Sequence, residues 1–536
     1  MLAAMDSTAC HILALHRRGA LRGALGLAAL AALQPALAPR ALGQPIFRSW
    51  PFTLGVASGD PLPDGVVLWT RLAPEPLAPM GGLPHLAFPV AWELAEDERF
   101  TRITARGTEL ARPELGFSIH AEVTGLQPAR TYFYRFRVGQ EVSRTGRTRT
   151  APAADAAPER LRFVSAGCQH FEHGHFTAWR HVAEEEIDFV YHSGDYIYEY
   201  RGVQPGEPSW GPTLRTHAGH ETHTLDNYRQ RYAQYHTDPD LAAAHAQHPF
   251  IMAFDDHEVD NDWAGAISEE DGGTRFPVAV PPEIFALRKQ AAFQAWWENM
   301  PLRRAQLPRG PEITAYRTLG FGQLAHLHVL ETRSWRDDQP CGGTPAVQRA
   351  CDALNRPNQQ MLGEAQEAWL MRNLAERRAT WQVLAQQVLV MPRDLGNSQV
   401  NVDKWDGAPA ARSRLLRGLA ERGAANAVVL TGDSHSAWVA DLRLDDGPVV
   451  ATEFGSTSIT STGDGSETVA STAALLLRNP HIHFFNNRRG YTLHEITPAA
   501  MRVTQRVVPY VTRPDAARED RGVFVVEAGR PGVQRG

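Results

Sequence analysis

The chain has 536 residues, more than one compact domain holds and enough for two or three. Hydrophobic residues make up 43% and charged residues 21%, the balance of a soluble globular protein. A net charge of -6 with dispersed basic residues argues against a nucleic-acid partner, which calls for a basic surface.

In chain order, Arg17-Arg18 comes first, followed by an apolar run from Gly23 to Leu33 that is too short and alanine-rich for a stable membrane span. Small residues at Ala36-Leu37-Ala38 and Ala41-Leu42-Gly43 offer cleavage points. Residues 1–43 therefore resemble a twin-arginine signal peptide, with His16 where Ser or Thr is usual. That implies handling by the twin-arginine export machinery and a periplasmic or secreted protein with no membrane partner. In an oxidising compartment Cys341 and Cys351, close together in a Gly- and Pro-rich loop, are expected to form a disulfide. Cys10 leaves with the signal, and Cys168 is left unpaired.

Residues 44–150 alternate β-prone runs such as Gly65–Thr70 and Thr131–Phe136 with turn residues, which predicts a β-sandwich of immunoglobulin or fibronectin type. The Ala/Pro composition of 151–160 marks a linker. From 161 to 510, apolar strands (Leu161–Ala166, Phe189–His192, Phe250–Phe254, Ala427–Leu430) alternate with helical segments. These are Phe176–Glu186, Ile284–Trp297, Glu364–Arg377 and Arg412–Arg422, and the alternation predicts a layered α/β domain. Residues 511–536 read as a short polar tail without a helix, leaving an open pocket.

Ligands gather at the carboxyl ends of strands in α/β sheets. Here those ends carry Ser165-Ala166-Gly167-Cys168, His192-Ser193-Gly194-Asp195-Tyr196-Ile197-Tyr198, Phe254-Asp255-Asp256-His257-Glu258 and Thr431-Gly432-Asp433-Ser434-His435. Carboxylates and phenolate are hard oxygen donors, whereas thiolate and imidazole suit a transition metal. One carboxylate, such as Asp195, can bridge two ions that clamp a phosphoryl group.

These loops resemble the calcineurin-type metallophosphatases. With Phe52–Pro61, Asp255–Asn261, Asn401–Gly407, Thr457–Ser461 and Asn479–Asn486 added, they resemble the alkaline phosphatase D (PhoD-like) family over nearly the whole mature chain. The resemblance implies an N-terminal β-sandwich followed by a layered αββα metallophosphatase domain. It also implies a cluster of Fe(3+) and Ca(2+), and small phosphomonoester and phosphodiester substrates. By position, Cys168, Asp195, Tyr198 and His435 correspond to iron ligands. Asp195 with Asp256 and Asp433 corresponds to the calcium side, Asp256 standing where the wider superfamily has Asn. His257 would assist the leaving oxygen and Arg333 would meet a phosphate oxygen, with Glu331 replacing the Asp usual in relatives. The implied chemistry is in-line attack by metal-bound hydroxide, in a monomer.

Several other features read more plainly. Tyr228, Tyr232 and Tyr235 follow helical spacing and are expected in the core. His170, His173 and His175 are expected to be bystanders, His217, His220 and His223 to sit in a loop that could form a lid, and Glu184–Glu186 to form a solvated face. Asp403 and Asp406 reach calcium or shape a turn. Competing functions are a phosphodiesterase or phospholipase D-like enzyme on the same scaffold, a zinc hydrolase, and an inactive secreted binding protein.

Overall fold

The computed structural model describes residues 47–536 apart from 270–277, 344, 377–378, 423–425 and 446. The signal-peptide reading of residues 1–43 lies outside the described residues.

Short apolar runs build two sheets. Parallel strands Leu161–Ala166, Phe189–His192 and Pro249–Met252 form the middle of a ten-stranded sheet. Ala325–Val329, Trp381–Ala385, Ala427–Thr431 and Val449–Gly455 form the parallel part of a seven-stranded one. The sheets face each other through Phe163, Tyr191 and Ile251 on one side and Leu327, Val383, Leu430 and Phe454 on the other. Helices Thr177–Ala183, Leu225–His236, Pro239–Gln247 and Pro282–Asn299 cover the outer face of the first sheet. Glu364–Ala375 and Pro409–Glu421 cover the second. With both faces covered, the strands are mostly apolar and largely buried along their length. The tyrosines at helical spacing are buried as expected, in the helix opened by the Thr224–Asn227 capping box.

The N-terminal sandwich is less separate than its sequence suggests. One leaf comprises Phe88–Ala95, Ile103–Ala111, Thr131–Val138, Glu141–Val142 and Gly146–Arg149. The other (Val56–Leu62, Gly65–Arg71, Ser118–Thr124) continues the ten-stranded catalytic sheet, with Ser58 paired in parallel to Pro249. Pairing there closes an otherwise open edge of the parallel trio. A buried polar joint reinforces the contact. Glu298 accepts from Arg229 at 2.6 and 2.7 Å, while Arg71 donates to the Arg229 carbonyl at 3.1 Å and to Asn299 Oδ1 at 2.9 Å. Glu298→Ala leaves the Arg229 guanidinium buried without its counter-ion and is expected to cost about 3–5 kcal/mol. Thermal unfolding of the variant checks this; an unchanged melting temperature contradicts it.

Residues 511–536 are not a tail. Glu519–Glu527 and Arg530–Arg535 extend the ten-stranded sheet beyond Ala500–Val508. No helix follows Val508 among the described residues. The short apolar run Val523-Phe524-Val525-Val526 is masked by flanking charges, and Phe524 and Val526 are buried in the inter-sheet core. Glu185 also departs from the solvated-face reading, because it is buried on Tyr491, Arg506 and Arg518. Cys341 and Cys351 form the expected disulfide and Cys168 is free and buried.

Candidate metal centre

The parallel strands of both sheets end at one place, so loops distant in sequence meet there. Residues 167–170, 193–200 and 253–262 come from the first sheet, and 330–336, 432–436 and 456–462 from the second. Their backbones are held in conformations L-residues seldom adopt. Cys168, Asp195, Asp433 and His435 have φ of 55°, 53°, 60° and 53°. Such left-handed positions in non-glycine residues concentrate at functional sites, because surrounding structure must hold them there. Gly194, at φ 116°, permits a close approach: a Cβ there would lie 2.5 Å from Asp255 Cβ and N.

The side chains at these ends converge. Donor atoms of Cys168, Asp195 and His435 lie within 4.8 Å of one another, as do those of Asp195, Asp256 and His257, and of Asp255, Asp256 and Asp433. Tyr198 Oη donates to Asp195 Oδ2 at 2.9 Å and lies 3.1 Å from His435 Nε2. Asp195 belongs to two of the groups, as a bridging carboxylate must. Its Oδ1 is buried without a hydrogen-bond partner, the state of an atom whose partner is a cation. Tyr198 lies in irregular chain, where strand alternation does not apply.

The electrostatics agree. Burial, reinforced by Asp195, Asp433 and Asp255, pushes the Cys168 thiol well above its ordinary value. Burial, Asp195 and Cys168 do the same to the Tyr198 phenol. Burial raises Asp195, and Asp256, Asp255 and Glu258 add to it. A multivalent cation reverses this logic, stabilising thiolate, phenolate and carboxylate together. Burial disfavours charge on His257, but Glu199, Asp256 and Asp195 outweigh it and hold the ring protonated. The donor set thus fits a metal cluster.

Arg333 departs from its expected role. Its guanidinium is fully enclosed, donating to Asp255 at 2.6 Å and to Asp403 at 2.6 and 3.1 Å, and reaching Asp256 and Asp433 at 3.6 and 3.5 Å. It neutralises the carboxylates instead of facing the cleft. Lys404 pairs with Asp403 and Asp433, so Asp403 is a counter-ion, whereas Asp406 pairs with Arg412. Glu331 Oε1 accepts from the Arg333 and Ser334 amides, so the longer acid still organises its own turn. His170 is no bystander, since its ring lies 4.4 Å from that of Tyr198.

Four supporting residues were given no role from sequence. Glu199 Oε2 accepts from His257 Nδ1 at 2.7 Å, turning the other ring nitrogen outward. Glu258 accepts from the amides of Asp195, Tyr196 and Asp255. Ser461 Oγ, 2.6 Å from Tyr198 Oη, donates to the Cys168 carbonyl. Arg489 donates to the carbonyls of His435 and Ser461. Glu258 stands inside a strand-end motif and Glu199 directly after one, while Thr457–Ser461 is too plain to carry weight alone. Arg489 had no local signal.

Two facing sheets, a carboxylate shared by two donor groups, mixed hard and soft donors and a histidine whose pKa is raised by neighbouring carboxylates fit a metal-dependent phosphoester hydrolase. A family model described as PhoD-like phosphatase matches residues 163–505, and one for the PhoD-like phosphatase N-terminal domain matches 37–152. The chain belongs to the PhoD-like phosphatase family. It is 45% identical over 499 residues to alkaline phosphatase D of Bacillus subtilis (strain 168), covering 92% of this chain and 83% of that protein. A solved structure titled "Structure of PhoD" matches with a TM-score of 0.87 and 44% identity, covering 92% of this chain and 93% of that one.

Proposed function

We propose that this phosphatase works with ferric iron held by Cys168, Asp195, Tyr198 and His435 and calcium held by Asp195, Asp256 and Asp433. Its substrates are small phosphomonoesters and phosphodiesters, met by a monomer in the periplasm or outside the cell after twin-arginine export directed by residues 1–43. The observation that carries this reading is the gathering of a thiol, a phenol, an imidazole and the shared Asp195 carboxylate in one buried cluster. That mixture suits a transition metal, and the neighbouring all-carboxylate group suits a hard cation. Bound there, the ions supply Lewis acidity and make water nucleophilic at neutral pH. The protein's own part is positional. Asp195 and Tyr198 fix the phosphoryl site, Glu199 orients His257, and the protonated ring gives its proton to the leaving oxygen. Arg333 and Lys404 pair with the carboxylates and hold them in place. None of these roles requires a covalent phospho-enzyme.

Hydrolysis of p-nitrophenyl phosphate and its bis-ester, before and after calcium chelation, tests the assignment alongside visible absorbance. Activity lost on chelation and restored by calcium, in a protein coloured by tyrosinate–iron absorption, is the expected result. The ratio of the two rates separates phosphatase from diesterase. A colourless, fully active zinc protein would overturn the iron assignment.

A further inference from the structure

The segment between Tyr200 and Thr224 has no helix or strand, yet it is held firmly. Its fastening is the buried Glu172. The Glu172 carboxylate accepts from the amides of Val203 at 3.2 Å and His217 at 3.1 Å, near the two ends of the segment. The Glu172 carbonyl accepts from the Leu214 amide at 2.8 Å. Arg215 donates to the carbonyls of Phe171 and Gly174 and pairs with Asp238. His217 is spanned between the Tyr200 carbonyl at 3.0 Å and Tyr235 Oη at 2.9 Å. His170, Glu172 and His217 have the spacing of a metal group. With His217 and Glu172 committed in this way, the trio serves as an anchor for the loop.

The anchored loop places one side chain at the metal centre. The Trp210 ring lies nearly parallel to that of His435, with centroids 5.8 Å apart and planes at 10°. His173 and His170 meet it edge-on at 4.2 and 5.1 Å, and the Tyr198 ring is 6.0 Å away. Gly211 lies on His173 so closely that a Cβ would come within 2.6 Å of its ring, which fixes the tryptophan's approach. Trp210 nevertheless remains 46% exposed. It is the one large exposed apolar side chain in ring contact with the donor set among the described residues.

We infer that Trp210 is a specificity-determining residue that stacks on a planar aromatic or heteroaromatic leaving group of the phosphoester. This deepens the hydrolase reading above and rests on its placement of the phosphoryl group beside Asp195 and Tyr198. With the indole 6.0 Å from the Tyr198 ring, 5.8 Å from that of His435 and 46% exposed, a leaving group reaching from a phosphoryl held there toward solvent on that side has the indole within reach. A planar ring at that position gains offset stacking on a surface already fixed in place. A small alkyl or polyol group gains almost nothing. The indole touches no reacting atom, so its contribution falls on binding.

The test compares Trp210→Ala with the wild type on 1-naphthyl phosphate and ethyl phosphate. The expected result is a KM for the naphthyl ester raised about tenfold, an unchanged KM for the ethyl ester, and kcat on both within about twofold. Trp210→Phe should recover most of the loss. Calorimetric binding of phenylphosphonate and methylphosphonate should show the same selective weakening without turnover, so an inactive preparation still decides the matter. Equal loss on both esters and both phosphonates would mean that Trp210 merely buttresses His435, and would overturn the proposal. No change on any of the four would overturn it too. Failure of the wild type to hydrolyse either ester, with selective phosphonate binding intact, counts against the hydrolase reading and leaves Trp210 where it is placed.

Discussion

Replacing Asp195 by Asn is expected to lower hydrolysis of p-nitrophenyl phosphate by about a thousandfold or more. The variant removes a charge shared by two donor groups, and loss of several kcal/mol of transition-state stabilisation corresponds to a rate loss of that order. Bound metal should fall with activity. Asn keeps the shape, and the Asp195 amide still donates to Glu258, so the loop should hold its course. Stability of the metal-free protein is expected to be unchanged or higher. Burial and the neighbouring carboxylates already strain the acid at this position, and sites of this kind trade stability for function. The measurements are metal analysis, absorbance and thermal unfolding with chelator present. Full activity in the variant would remove Asp195 from the bridging position. A large loss of metal-free stability would show that its role is structural.

The second large effect is expected at Glu199, which touches neither metal donors nor substrate. Glu199→Gln should lower kcat about 10- to 100-fold with KM little changed, the usual scale for losing a partner that orients a functional histidine. The pH profile separates this from simple disruption. Glu199 is the leading attraction that keeps a proton on His257 against burial. Removing its charge lowers the His257 pKa, so the proton-donating form disappears at a lower pH. The alkaline limb of kcat should therefore move to lower pH in the variant, and Glu199→Asp should move it part of the way back. A uniform drop in kcat with an unmoved limb would assign Glu199 to loop structure alone.

The site was legible because most of its donors sit at the ends of short apolar strands, where motif and geometry coincide. Cys168, Asp195, Asp256, His257, Asp433 and His435 follow a run of this kind within a few residues, and local reading reaches them. What the sequence concealed depends on contacts between distant segments. Arg333 looks like a phosphate-binding arginine until Asp255, Asp403 and Asp433 arrive from three other loops and enclose it. Arg489 and Ser461 act through backbone carbonyls, which leave no residue pattern. Trp210 lies in a segment of turn residues whose order comes from Glu172, itself outside the segment. The C-terminal strands were misread for a related reason. Arg and Glu flank Val523–Val526 so heavily that composition outweighs the short apolar run.

The sheet that carries the centre is stitched from both ends of the chain, and this bears on vectorial synthesis. Val56–Leu62, made early, pairs with Pro249–Met252. Leu161–Ala166, which leads into Cys168, finds its outer neighbour only in Arg489–Ile496, with Ser165 bonded to His494 across 329 residues. Until that partner leaves the ribosome, the strand presents a bare apolar edge, a hazard for aggregation. The strand before Cys168 therefore cannot reach its final environment until the chain has been made through His494, 329 residues beyond Ser165. Closure of the sheet, and with it the gathering of the donor loops, waits for the synthesis of Arg489–Ile496.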